Sequence, residues 1–141
     1  MTHSLKHLIA ATAIAAATLS SAFASDVVVI GNKDNANAVD KAFLAKAFTG
    51  ETRSWPDGGA IAALDQGDDN PTRAAFYTSV VGRSAAQVKA AWAQLVFSGK
   101  ATPPKVIDGD AEVKKAVAAN KLAVGYIKPS SVDDSVKVLL K

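Results

Sequence analysis

The stretch DVVVIGNKDNANAVDKAFLAKAFTG, Asp26 to Gly50, runs from a β-branched segment through a polar loop into an amphipathic one. A continuous apolar run such as Val27–Ile30 suits a strand buried on both faces. Asn35 or Asn37 then suits a helix N-cap, and the helix should run to about Phe48. Val39, Phe43 and Leu44 lie on its apolar side, and Gly50 stands just past its end. Strand, loop and helix in this order indicate an α/β fold.

The pattern repeats toward the C-terminus. SWPDGGAIAAL, from Ser54, reads as a turn followed by a short strand near Ala60–Leu64. Asn70 and Pro71 suit the cap and first position of a helix that starts around Thr72 and ends near Val81 and Gly82. Ser84 and Gln87 fit a capping box, and the helix they open carries Val88, Trp92 and Leu95 as a core stripe. Trp92 and Phe97 read first as core residues and second as pocket lining. Val106–Ile107 is a short extended segment. Asp108 or Asp110 should cap a helix through about Ala119, and Leu122–Ile127 and Val136–Leu140 read as strands. Strands alternating with helices predict a mainly parallel sheet with helices on both faces.

Toward the N-terminus the reading changes. Leu8–Leu19 is an uncharged apolar run, too short to span a bilayer, and Ala22 and Ala24 satisfy the A-x-A rule. Residues 1–24 are therefore expected to be a signal peptide cleaved between Ala24 and Ser25. Residues 25–141 would form a single periplasmic domain. Both histidines, His3 and His7, fall in that leader, and the chain has no cysteine. Without His or Cys, the domain has no Ser-His or Cys-His nucleophile pair and none of the usual zinc ligand sets. No enzyme, metal or other cofactor is expected. The net charge of +3 comes from scattered basic residues, with Lys114–Lys115 the one adjacent basic pair. Nucleic acid recognition calls for a concentrated basic face, so no nucleic acid partner is expected.

The chemically dense stretch is LDQGDDNPTRAAF, Leu64 to Phe76. Ligands of open α/β sheets gather beyond the carboxyl ends of the strands. On the sequence reading those ends are residues 31–37, 65–73, 108–110 and 128–131. Three readings compete for the stretch. Asp65, Asp68 and Asp69 could hold a metal, but the spacing of a calcium loop is absent. Asn70, Thr72 and Arg73 could hold an anion at a helix start, with Asn32 and Lys33 on a neighbouring loop as weaker contributors. Against this, Asp68 and Asp69 would each repel an anion by about 3 kcal/mol per unit charge at ~5 Å and an effective dielectric near 20. The third reading is a capped turn whose carboxylates favour the helix dipole.

Taken in order, AFTGETRSWPDGGAI, then Arg73 and Phe76, then WAQLVFSGKATPP from Trp92, then VGYI at Val124–Ile127, resemble the phosphate-binding-protein family. These are the periplasmic substrate-binding proteins of phosphate ABC transporters. The resemblance covers Val27 to Leu140. It implies one lobe of a two-lobed, type II periplasmic-binding-protein-like fold. The family usually carries R-x-x-x-S-G-T at its ligand loop, and the matching positions here are Gln66, Asn70, Pro71 and Thr72. Only the Thr is kept, and Pro71 removes a backbone donor. The implied function is non-enzymatic, weak binding of phosphate or a similar oxyanion, linked to phosphate uptake. The alternative is a single-lobe accessory module that has lost its ligand and works through an envelope protein partner or a homodimer.

Overall fold

β1 (Val28–Gly31) is buried along its whole length, and its alternating side chains feed two separate cores. The computed structural model describes residues 27–141; the expected leader lies outside the described residues. α1 (Lys41–Phe48) follows β1, then β2 (Ala62–Asp65) and α2 (Pro71–Phe76), which a π-helical turn at Tyr77–Val81 prolongs. α3 (Ala85–Phe97), β3 (Lys105–Val106), α4 (Asp110–Ala119) and β4 (Ala123–Ile127) come next, and β5 (Lys137–Leu140) completes the order.

The strands lie in the order β3-β2-β4-β1-β5. β2 pairs in parallel with β3 and with β4, whereas β1 pairs antiparallel with both β4 and β5. Four strands therefore share one direction and β1 alone is reversed. This is the mainly parallel α/β sheet that the sequence predicts, with one exception that matters for the site. Because β1 is reversed, residues 31–37 emerge at the edge opposite to the carboxyl ends of β2, β3 and β4. Asn32 pins them there by donating to Val117 O and Ala118 O at the end of α4, at 2.9 and 3.0 Å.

Helices cover both faces. On one face Val27, Val29, Val124 and Tyr126 pack against Leu44 and Phe48 of α1, Phe76 and Tyr77, and Val88 of α3. On the other, Val28, Ile30, Leu64 and Ile127 pack against Val113 and Val117 of α4. Aromatic rings fill the first core. Phe76 stacks on Tyr126 with centroids 4.0 Å apart, and Phe48 meets Phe76 edge-on at 4.6 Å.

Local signals explain most helix ends. Asn70 accepts from Thr72 N with Pro71 at the first helical position, and Ser84 and Gln87 form the full capping box. Gly50 takes φ +81 just beyond α1, a conformation that glycine adopts without strain. Two caps differ from expectation. Asp40 caps α1, accepting from Phe43 N at 2.8 Å, because Asn35 and Asn37 are buried and bonded to each other. Gly109 precedes α4, because Asp108 and Asp110 accept from other loops. Phe97 is 96% exposed, so it is no core residue.

Gly125 lets α4 approach β4. A Cβ there would lie 2.8 Å from Val113 Cγ1, on a stiff β-branched side chain. Gly125→Ala should cost about 1–3 kcal/mol through overpacking. Urea unfolding reads the cost directly, and an unchanged midpoint would refute the close approach.

Candidate functional site

The carboxyl ends of β2, β3 and β4 bring residues 65–73, 108–110 and 128–131 to one edge, as the sequence predicts. Their loops are tied together. Gly67 N donates to Asp108 Oδ1 at 2.6 Å, and Lys128 N and Ser131 Oγ both donate to Asp110 Oδ2.

Asp65 ends β2 and is buried. Its carboxylate accepts from Tyr77 OH at 2.5 Å, from Tyr126 OH, and from Gln66 N at 2.8 Å. Arg73 Nε stands 3.4 Å from Asp65 Oδ1, and its Nη1 stands 3.6 Å from Asp68. The guanidinium also lies over the Tyr77 ring, 4.9 Å from the centroid. Burial, reinforced by the Asp65 charge, pushes both phenols far above the usual tyrosine range. Both tyrosines are thus fixed as donors to a carboxylate.

The loop beyond is also internally bonded. Gln66 Nε2 donates to Tyr126 O at 2.8 Å, and Gln66 Oε1 accepts from Asn70 Nδ2 at 2.5 Å. Asn70 Oδ1 caps Thr72 N at 2.9 Å. Asp68 is exposed and paired with Lys89 at 3.1 Å, which together with Arg73 holds its carboxyl below the usual range. Asp65 and Asp68 thus share Arg73 and otherwise turn to different partners, and no group of three possible metal ligands forms among the described residues.

Each expected ligand residue can now be placed. Asn70, Thr72 and Arg73 do meet at the start of α2. Asn70 uses both ends of its amide internally, and Arg73 is buried in ion pairs, so neither is presented to a ligand. Asn32 and Lys33 do not join them. The reversal of β1 carries both to the opposite edge, where Asn32 is occupied by α4 and Lys33 is exposed. Trp92 lines an open cleft of about 620 Å³ beside β2, with Gly50, Arg53 and Pro103, yet its indole N–H is bonded to Phe48 O. Tyr77, Tyr126 and Asp108 were not singled out as site residues by the sequence. The signal for the first two was a charged residue directly following the apolar run Ala60–Leu64, which requires buried partners.

No protein-family model matches the sequence, and no curated protein matches it. Solved structures do match its fold. An ABC-type phosphate transport receptor from Vibrio cholerae superposes with TM-score 0.62 at 22% identity, over 81% of this chain and 45% of that one. A protein of Clostridium perfringens, described as a phosphate ABC transporter substrate-binding protein and solved with bound phosphate, gives 0.65 at 24%, over 81% and 44%. PstS from Borrelia burgdorferi gives 0.62 at 12%, over 82% and 46%. The chain spans less than half the length of each. It has the fold of one part of a phosphate-transport substrate-binding protein.

Proposed function

We propose that this chain is a non-enzymatic, phosphate-binding-protein-like module of the cell envelope that works by contact with a protein partner and does not itself carry phosphate. The observation behind this reading is the state of Arg73. It lies in the first turn of α2, buried against Asp65 and Asp68, and the nearby Lys89 is itself paired with Asp68. Gly67 N, Gln66 N and Thr72 N, donors that such a loop would offer to an anion, are already used by Asp108, Asp65 and Asn70. A dianion arriving here would have to displace two carboxylates and the Asn70 amide oxygen already bonded to these donors.

Placement in the periplasm follows from the leader-like N-terminus. No described helix is long and apolar enough to cross a membrane. The partner is an envelope protein or a second copy of this chain, in the setting of phosphate uptake that the related structures suggest.

Calorimetry of the purified protein with phosphate, and with sulfate as control, tests the proposal. No saturable heat is expected at millimolar phosphate. One-site phosphate heat that disappears in Thr72→Ala would instead support direct binding at the start of α2.

A further inference from the structure

The geometry points to a preassembled cradle for a small carboxylate, built by Tyr77 OH, Tyr126 OH, Gln66 N–H and Arg73, in which Asp65 is a ligand supplied by the chain itself. The inference deepens the reading above, because it explains why Arg73 is not available to a free anion.

Four donors from the end of β2, β4, α2 and its π-helical extension converge on one carboxylate. Each is positioned by contacts that do not involve Asp65. The Tyr126 ring stacks on Phe76, and Tyr77 packs edge-on against Phe76 at 5.2 Å. Gln66 is held through Nε2 by Tyr126 O. Arg73 rests on the Tyr77 ring and faces Asp68. Tyr77 and Tyr126 are fully buried and Arg73 is 8% exposed. When the carboxylate is removed, Tyr77 OH and Tyr126 OH lose their acceptor inside the fold, Arg73 keeps only Asp68, and Gln66 N–H keeps only Tyr126 OH. Such a set is an oxyanion site whose occupant happens to be covalently attached. In the native chain the module is held permanently in an anion-filled state, whatever the supply of free anion.

The shape of the missing group gives the test its specificity. Asp65→Gly deletes a methylene and a carboxylate, the heavy-atom outline of acetate. Asp65→Ala deletes the carboxylate alone, the outline of formate. Melting temperatures of the purified variants are measured in acetate, formate and chloride at constant ionic strength. Acetate should raise Asp65→Gly, and formate Asp65→Ala, by about 5 °C at roughly tenfold excess over Kd. The mismatched anion should do less, the native protein should not respond, and adding Tyr77→Phe should weaken the response. If a variant is unfolded in chloride, the matching anion should restore its far-UV circular dichroism.

Folded variants that respond to neither anion more than to chloride would overturn the cradle. So would variants that stay unfolded in both anions while Asp65→Asn folds. The two readings fail separately. Phosphate heat with the native protein would remove the proposed function and leave anion rescue standing. Absent rescue with a phosphate-silent native protein would remove only the cradle.

Discussion

Asp65→Ala should destabilise the protein by about 3–5 kcal/mol, the cost of removing one partner from a buried, hydrogen-bonded ion pair. The substitution leaves the Arg73 guanidinium within the fold with only the exposed Asp68, 3.6 Å away, as counter-charge. It also strips the acceptor from Tyr77 OH and Tyr126 OH, both fully buried. The loss is large against a domain stability of about 5–15 kcal/mol. Chemical denaturation measures it, and a change below about 1 kcal/mol would mean that water already serves these groups. Asp68→Ala is the internal contrast. Its carboxylate is exposed and its partners are Lys89 and the outer nitrogen of Arg73, so solvent screens the pairs and the denaturation midpoint should stay close to that of the native protein.

How far this centre was legible in the sequence depends on the range of each interaction. Asn70, Pro71, Ser84 and Gln87 gave their helix starts correctly because a cap bonds to backbone within three residues of itself. The α/β class was legible for a similar reason, since each apolar run reports its own burial. Asp108 and Asp110 were misread as caps because their partners, Gly67, Lys128 and Ser131, come from other loops. The direction of β1 was not legible at all. A run such as Val27–Ile30 states that a strand is buried on both faces and carries no sign of which way it points. That single missing bit moved Asn32 and Lys33 from the expected site to the far edge of the sheet. Asp65 shows the same limit. The sequence offers Asp65 as a metal ligand or a helix-dipole carboxylate and not as a buried charge, because Tyr126 is 61 residues away and no local pattern names a partner at that distance. The resemblance to phosphate-binding proteins supplied the fold. Only the geometry showed that the side chains of Gln66, Asn70 and Arg73 are bonded within the chain.

The second large effect concerns alkaline pH. Tyr77 and Tyr126 are the only tyrosines in the chain, so absorbance at 295 nm reports on this centre alone. In the fold both phenols are pushed well above their ordinary value of 10.0, first by burial and then by the Asp65 charge that they bond. In the unfolded chain they ionise near 10. Below that pH the folded and unfolded states bind the same phenolic protons, and the contribution of the pair is fully present. Above it the unfolded chain releases protons that the fold retains, so stability falls as pH rises, by about 1.4 kcal/mol per pH unit for each phenol. Two phenols titrating together give close to 3 kcal/mol per unit, enough to unfold a domain of ordinary stability within a few units. Tyrosinate absorbance should therefore stay absent past pH 10 and then appear in one cooperative step together with the loss of far-UV circular dichroism. A gradual titration centred near pH 10 with the circular dichroism intact would mean that the phenols reach solvent, and that Asp65 is not enclosed as the geometry requires. In Asp65→Asn the charge that reinforces burial is gone while an acceptor remains, so the step should persist at somewhat lower pH. The size of that displacement separates what the Asp65 charge contributes from what burial alone imposes.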